Sequence, residues 1–306
     1  MNCYGRMVTR IPTQLDKLAF AATEACLYPL QDIWRRLDQT SASEIVNQKE
    51  IRVVGMRRTG NHALIQWIAQ QQPGEFCHLN NVAAGKNPYR HKADNLRRYH
   101  PEHLKMSAVY RQQANGALIK RDCLLYSYED WSLAQITHPR FERSRELYLG
   151  KSAQRYDVLI LRDPFNLFAS RLKQNFVATK AKDSMTQMWL AYAREFVGQS
   201  SHLSPNRVCV SYNAWVSSQD YRRQLANQLS LPFSDAGRAQ VSAIGGGSSF
   251  DGTSFSGQAS TMDVNNRWRA FAEEPTFRQL FQNEALWQYS QQIFGDLPGT
   301  EILRSP

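Results

Sequence analysis

Ile51-Arg52-Val53-Val54-Gly55-Met56-Arg57-Arg58-Thr59-Gly60-Asn61-His62-Ala63-Leu64-Ile65-Gln66-Trp67-Ile68 is the stretch around which the rest of the chain is ordered. β-Branched residues fill its first four positions except for Arg52, which predicts a short strand. Gly55 and Gly60 then bracket a tight basic turn, and Leu64, Ile65 and Ile68 recur at helical spacing. Strand, loop and helix follow one another directly. In such a loop the glycines let backbone N–H groups come close to an anion, and the start of the helix offers unpaired N–H groups and the positive end of its dipole. Arg57 and Arg58 add full charge. The loop is expected to hold a phosphate or sulfate group.

A second segment, Arg155 to Leu172, lies roughly one hundred residues further on. Val158 to Leu161 is a continuous apolar run, as a central parallel strand requires. Asp163 is a good helix N-cap with Pro164 at the first helical position, and Phe165, Phe168 and Leu172 form the buried stripe of the helix that follows. Arg162 stands at the carboxyl end of the strand. Ser170 lies about two turns up the helix, roughly 10 Å along it at 1.5 Å per residue, so that both side chains are able to grip one phosphate.

From Gly55 to Gly60 the first loop has the outline of the phosphate-binding pattern GxxxxGK[ST], but Asn61 and His62 occupy the Lys and Ser/Thr positions. Ordinary ATP or GTP hydrolysis loses support without the lysine and the Mg²⁺-binding hydroxyl. Arg58-Thr59-Gly60-Asn61-His62 instead resembles the 5′-phosphosulfate loop of the sulfotransferases that use 3′-phosphoadenosine 5′-phosphosulfate (PAPS), whose commoner form is Pro-Lys-Ser-Gly-Thr. Arg162-Asp163-Pro164 with Ser170 eight residues after the arginine resembles the 3′-phosphate motif of the same family.

The resemblance covers about residues 51–270 and implies an α/β, three-layer fold with a central parallel sheet, P-loop NTPase-like, as in sulfotransferases. It further implies PAPS as sulfuryl donor, adenosine 3′,5′-bisphosphate (PAP) as product, no metal, and an acceptor that is a carbohydrate or other hydroxyl compound, or an amine. Arg57, Thr59, Gly60, Asn61 and His62 would then hold the 5′-phosphosulfate, and Arg162 with Ser170 the 3′-phosphate. Arg58 would stabilise the bridging oxygen, where the family usually has Lys. Tyr212 would lie beside the adenine. The family closes over the nucleotide with a late glycine-rich basic segment, often Arg-Lys-Gly followed by Gly-Asp-Trp. This chain departs from that form, and Ser248, Ser249 and Arg267, in and after Gly245-Gly246-Gly247, would supply equivalent contacts. A flexible linker is the other reading of that stretch.

The strand around Cys123 to Tyr128 emerges into Glu129-Asp130. Ligands of α/β sheets sit beyond the carboxyl ends of the strands. The family places a base, His or carboxylate, at the end of a corresponding strand. Glu129 or Asp130 could serve, and the longer Glu129 is favoured. His78, on a short strand from Glu75 to Leu79, reads as structural.

Net charge is +10 with a pI near 9.5, which favours anionic ligands. The aromatic content, seven Trp, thirteen Tyr and fourteen Phe, argues for a packed globular core. Five scattered cysteines (Cys3, Cys26, Cys77, Cys123, Cys209) show no metal-ligand spacing and read as reduced thiols of a cytoplasmic protein. There is no 18-residue apolar run, and Glu24 interrupts the apolar stretch that follows Arg6 and Arg10, so neither a membrane span nor a signal peptide is expected.

Residues 1–50 are expected to form an N-terminal helical segment packing on the main domain, 51–306. Its helix, from about Thr13 to Leu37, carries Leu15, Leu18, Ala22, Cys26, Leu30, Ile33 and Leu37 as an apolar stripe turned onto that domain; a membrane-surface helix using Arg35 and Arg36 is the alternative. Residues 39–50 read as a linker. The basic insertion 85–113 reads as an acceptor-binding lid or a solvated loop. Helices are expected over 183–200, 274–282 and 284–294. The rival functions are a P-loop kinase and a non-enzymatic polyanion-binding module, with no role for nucleic acid in the preferred reading.

Overall fold

The structure, a computed structural model, describes residues 23–37, 44–180, 183–242 and 246–304. Cys3, Arg6, Arg10, Leu15, Leu18, Ala22 and Gly245, used in the sequence reading, lie outside the described residues. A helix, α1 (Tyr28–Leu37), precedes strand β1 (Ile45–Gly55), helix α2 (Asn61–Gln70) and strand β2 (Phe76–Leu79). Helices α3 (Pro88–Tyr99) and α4 (Leu104–Ala114) lead to β3 (Arg121–Glu129). A short α5 (Leu133–Ile136) and α6 (Pro139–Leu149) lead to β4 (Lys151–Leu161), followed by α7 (Pro164–Leu172) and α8 (Met185–Phe196). Strand β5 (Arg207–Ser211) runs into α9 (Tyr212–Ser217) and α10 (Gln219–Gln228), and α11 (Pro275–Arg278) and α12 (Glu284–Phe294) follow the glycine-rich stretch.

The sheet order is β2-β3-β1-β4-β5, and every pairing is parallel. A sheet covered on both faces needs apolar residues at consecutive positions, and alternation sends them to opposite sides. Val54, Leu159 and Leu161 pack on one face with Phe165, Phe168, Trp189 and Trp268. Ile51, Val53, Val158 and Ile160 pack on the other with Leu64, Trp67, Ile68 and Trp215. This is the three-layer α/β architecture the sequence predicts. Arg52, the break in the apolar run, lies beside its register partner Asp157, which it grips through Nε at 2.8 Å and Nη2 at 2.7 Å, so the charge is buried as a pair.

Three expectations need correction. β1 begins at Ile45, so the second half of the predicted linker is strand: Asn47, Lys49 and Glu50 pair with β3 and β4. Polar residues there are tolerated because Glu50 is neutralised by Arg145 at 2.6 Å. Residues 85–113 are not a loop but the pair α3 and α4, with Asn87 capping α3 by accepting from the Arg90 N–H. The third correction concerns α1, whose apolar stripe does not face the domain. Its polar side does: Tyr28 Oη donates to Asp94 at 2.8 Å, Asp32 accepts from Arg90 and Tyr148, each at 2.8 Å, and Arg35 donates to the Ala114 carbonyl at 2.9 Å. Leu30, Ile33, Trp34 and Leu37 are exposed. Periodicity reports that a helix has two faces; it does not say which one is turned inward. Among the described residues no helix is long and apolar enough to cross a membrane.

Candidate active site

A parallel sheet delivers all its strand ends to one edge, and the strand order fixes what lies beside what. Across that edge stand Asn80 and Asn81 after β2, Glu129 at the end of β3, the Met56–Gly60 loop after β1, Arg162 after β4 and Tyr212 after β5. At about 4.8 Å per strand the span from Glu129 to Tyr212 is roughly 14 Å. All but Met56 and Thr59 of these residues and this loop line one cavity of about 370 Å³, within the range of small-molecule sites. Arg238, Met262, Val264 and Arg267 add its far wall.

The loop is held tightly. The Thr59 N–H closes a turn on the Met56 carbonyl at 3.2 Å, and Gly60 has φ +105°. A Cβ on Gly60 would sit 2.1 Å from the Tyr212 ring, so glycine is demanded both by the backbone and by the approach of the aromatic. Arg58 takes the left-handed conformation, φ 72°, at a cost of about 1 kcal/mol or more. That conformation aims its guanidinium at the glycine-rich stretch, where Nε donates to Ser249 Oγ at 2.6 Å and Nη2 to the Gly247 carbonyl at 2.8 Å. The stretch is therefore docked over the loop by Arg58, and it is not free linker. Arg267 extends the contact, donating to Ser248 Oγ at 2.8 Å.

Arg162 is 2% exposed. Its Nη1 reaches Ser170 Oγ at 3.2 Å, its Nη2 donates to the Val264 carbonyl, and its guanidinium lies 5.3 Å from the Tyr212 ring centroid. Arg267 Nη1 approaches the same Ser170 hydroxyl at 3.4 Å. Three arginines thus converge in a buried place. Burial lowers the pKa of each, and the charges of its neighbours push Arg58 and Arg267 further down, Arg267 to about 10. The Nε–H groups of Arg162 and Arg267 are buried without partners. Asp251, 3.3 Å from Arg267, relieves one side of the cluster. A multiply charged anion among these groups would offset those penalties.

Glu129 and Asp130 have separate situations, because β3 ends at Glu129 and Asp130 turns off it with φ 61°, in the left-handed region. Glu129 lines the cavity, accepts from Asn61 Nδ2 at 3.0 Å and has Arg57 Nε at 3.8 Å. Asp130 is 1% exposed and points behind the loop, where Oδ1 accepts from the Arg57 N–H at 2.9 Å and from Arg171 at 2.7 Å. It fastens the loop to α7.

The structure brings Arg57, Arg58, Gly60, Asn61, His62, Glu129, Arg162, Tyr212, Ser248 and Arg267 to the cavity wall. Thr59, Ser170 and Ser249 stand one layer behind it, Thr59 and Ser170 with no exposed surface. The Asn61 amide is committed to Glu129 and the Met56 carbonyl, both at 3.0 Å, which leaves its backbone N–H at the helix start for an anion. His62 Nε2 meets Asn80 Oδ1 at 3.1 Å. His78 is half-buried and does not line the cavity, and the burial of its ring pushes its imidazole down to about 3. Tyr212 begins α9 directly after β5, and the Ser211 hydroxyl caps that helix by accepting from the Ala214 N–H.

Sequence reasoning missed Asn80, Asn81, Arg238 and Lys180. The first two follow a strand end and were findable by the rule that located Glu129. Lys180 sits in a loop with no periodic signal. Its Nζ donates to Asn81 Oδ1 and lies 5.4 Å from the Trp131 ring centroid. Burial, then nearby Arg57, lowers its ammonium from the ordinary 10.5 to about 8. The unfolded chain keeps that proton up to the ordinary range, so this residue's contribution to stability rises with pH between about 8 and 10.5. Denaturant midpoints followed across that window should rise less in Lys180→Met than in the parent chain; identical pH slopes would refute the shift.

No family model matches this chain, and no curated protein matches it. Among solved structures, a mouse sulfotransferase, SULT7A1 complexed with PAP, aligns over 86% of this chain and 90% of its own at 10% identity, with a TM-score of 0.41. So distant a likeness assigns neither family nor activity.

Proposed function

We propose that this chain is a PAPS-dependent sulfotransferase, acting on a hydroxyl or amine acceptor. The observation that carries this reading is the convergence of half-buried Arg58 and buried Arg162 and Arg267 beside the loop after β1, where burial lowers the pKa of each. Two of them present partnerless Nε–H groups. The residues suit the nucleotide in charge. Arg162 and Arg267, oriented by Ser170, would hold the 3′-phosphate, and the first-turn N–H groups of α2 with Arg57 and His62 the 5′ end. Tyr212, backed by Trp215 stacked on it at 5.9 Å, would lie beside the base.

When bound, PAPS supplies a sulfuryl group on an anionic leaving group, a transfer analogous to phosphoryl transfer. Arg58 would place fixed positive charge where the departing oxygen becomes negative. It cannot readily give up a proton, so its contribution is electrostatic. Glu129, on the opposite side of the loop from Arg162, would take the acceptor's proton, its carboxylate aimed by Asn61 and Arg57. Asn80, Asn81 and Lys180 would border the acceptor. Kinase chemistry fits less well, because the loop lacks the Lys and Ser/Thr of the phosphate-binding pattern.

PAP should bind roughly tenfold to a hundredfold more tightly than AMP, the scale of one strong charge-assisted contact. Isothermal calorimetry of the two nucleotides gives the test. Arg162→Gln, which retains a polar side chain in the buried position, should erase the preference. Equal affinities in the parent chain would sink the assignment of the donor.

A further inference from the structure

The exposed side of α1 carries Leu30, Ile33, Trp34 and Leu37 at 55%, 52%, 71% and 77% exposure, and Leu27 on the preceding turn at 48%. Their spacing of three and four puts them on one strip. An exposed apolar residue on its own needs no explanation, but a strip of five with a tryptophan near its middle does. The helix is not loosely placed. Tyr28, Asp32, Arg35 and Arg36 are hydrogen-bonded to Asp94, Arg90, Ala114 and Ser144, so the apolar side is held outward by its own polar side.

Behind this helix lies a second cavity, of about 1000 Å³, between α1, α3 and α6. Arg36, Lys86, Arg98, Arg140 and Arg143 line it, and Ile33 shares the wall with them. Its two carboxylates are already bridged, Asp32 to Arg90 at 2.8 Å and Asp94 to Arg111. The apolar strip is therefore bordered by a wall in which cationic side chains outnumber the two carboxylates.

We infer that α1 is a docking element for an anionic lipid surface, with the strip seated at the headgroup boundary and Arg36, Arg140 and Arg143 facing the headgroups. An apolar face with Trp and Leu beside a Lys/Arg rim is the pattern of helices that lie in the plane of a membrane. Charge decides between this and a second copy of the chain. Self-association through the strip would bring two cationic rims together on a molecule of net charge +10, whereas an anionic bilayer satisfies strip and rim at once. The inference is independent of the proposed reaction, since none of these residues lines the cavity beside the β1 loop.

Sedimentation of the full chain with vesicles tests it. Binding is expected to vesicles containing phosphatidylglycerol and to weaken with added salt, and to be slight with phosphatidylcholine alone. The paired change Leu30→Glu with Trp34→Glu should lower the partition coefficient at least about tenfold. Arg140→Ala with Arg143→Ala should do the same, at about fivefold per surface cation. All four positions are exposed, and unchanged circular dichroism and PAP affinity would show the fold and the nucleotide site intact. Equal binding to both vesicles, or to neither, overturns the inference. So does salt-sensitive binding to soluble heparin with none to vesicles, which would make the rim a polyanion site, or a dimer in sedimentation velocity that the Glu variants break.

Discussion

Glu129→Gln is expected to lower kcat by about 10²–10⁴, the usual contribution of a positioned base, while PAP affinity stays within a fewfold of the parent. The substitution is suited to the site. A glutamine Oε1 still accepts from Asn61 Nδ2, now at 3.0 Å, so the shape of the wall is kept and only basicity is removed. The matched control is Asp130→Asn. Asp130 is buried between the Arg57 N–H and Arg171, at 2.9 and 2.7 Å, and its charge holds the loop to α7. Its loss should appear first as lower stability, because Arg171 is left buried and unpaired, and only then as weaker nucleotide binding. A thermal scan beside steady-state kinetics separates the two effects. If Asp130→Asn loses kcat at unchanged stability while Glu129→Gln keeps it, the base is the aspartate and the assignment drawn from the two side chains' separate surroundings fails. If neither variant is impaired, His62, at the cavity wall, becomes the residue to change.

The loop and the strand ends were legible in the sequence because their signals are local. Gly55 and Gly60 mark a turn, Val158 to Leu161 marks a central strand, and Asp163-Pro164 marks a helix start. The structure places an element boundary at each. Strand order, a non-local property, was not legible residue by residue. It sets Glu129 beside the loop and Tyr212 two strands beyond it. The division of labour between Glu129 and Asp130 needed the backbone, since the strand stops at Glu129 and Asp130 turns off it with φ 61°. The role of Asn61 was also out of reach: a side chain read as an anion contact is spent on Glu129 and the Met56 carbonyl. The orientation of α1 was misread for a different reason. Amphipathic spacing fixes the existence of an apolar face, but tertiary hydrogen bonds from Tyr28, Asp32 and Arg35 decide that it is turned outward. Lys180, flanked by no periodic pattern, became visible only through its neighbours.

Arg58→Ala is expected to lower kcat by about 10²–10³, the cost of removing one preorganised charge from the place where negative charge develops. The nucleotide should be held almost as before, because Arg162, Arg267 and the first-turn N–H groups of α2 do not depend on it. The difficulty is that Arg58 has a second duty. Its Nε and Nη2 bind Ser249 Oγ and the Gly247 carbonyl, so its loss also loosens the stretch that closes the cavity. Two further variants separate charge from closure. Ser249→Ala removes the shorter of the two bonds and leaves the guanidinium; it should raise the KM for PAPS with kcat within about tenfold of the parent, since a ground-state contact is lost and a transition-state one is not. Arg58→Lys keeps a charge at the loop but cannot reproduce the two-point grip. If the electrostatic role is correct, Arg58→Lys restores most of kcat while KM remains high. If Arg58→Lys is as inactive as Arg58→Ala, and Ser249→Ala matches both, closure is the whole effect. The charge at the departing oxygen would then belong to Arg57, which Arg57→Ala would expose.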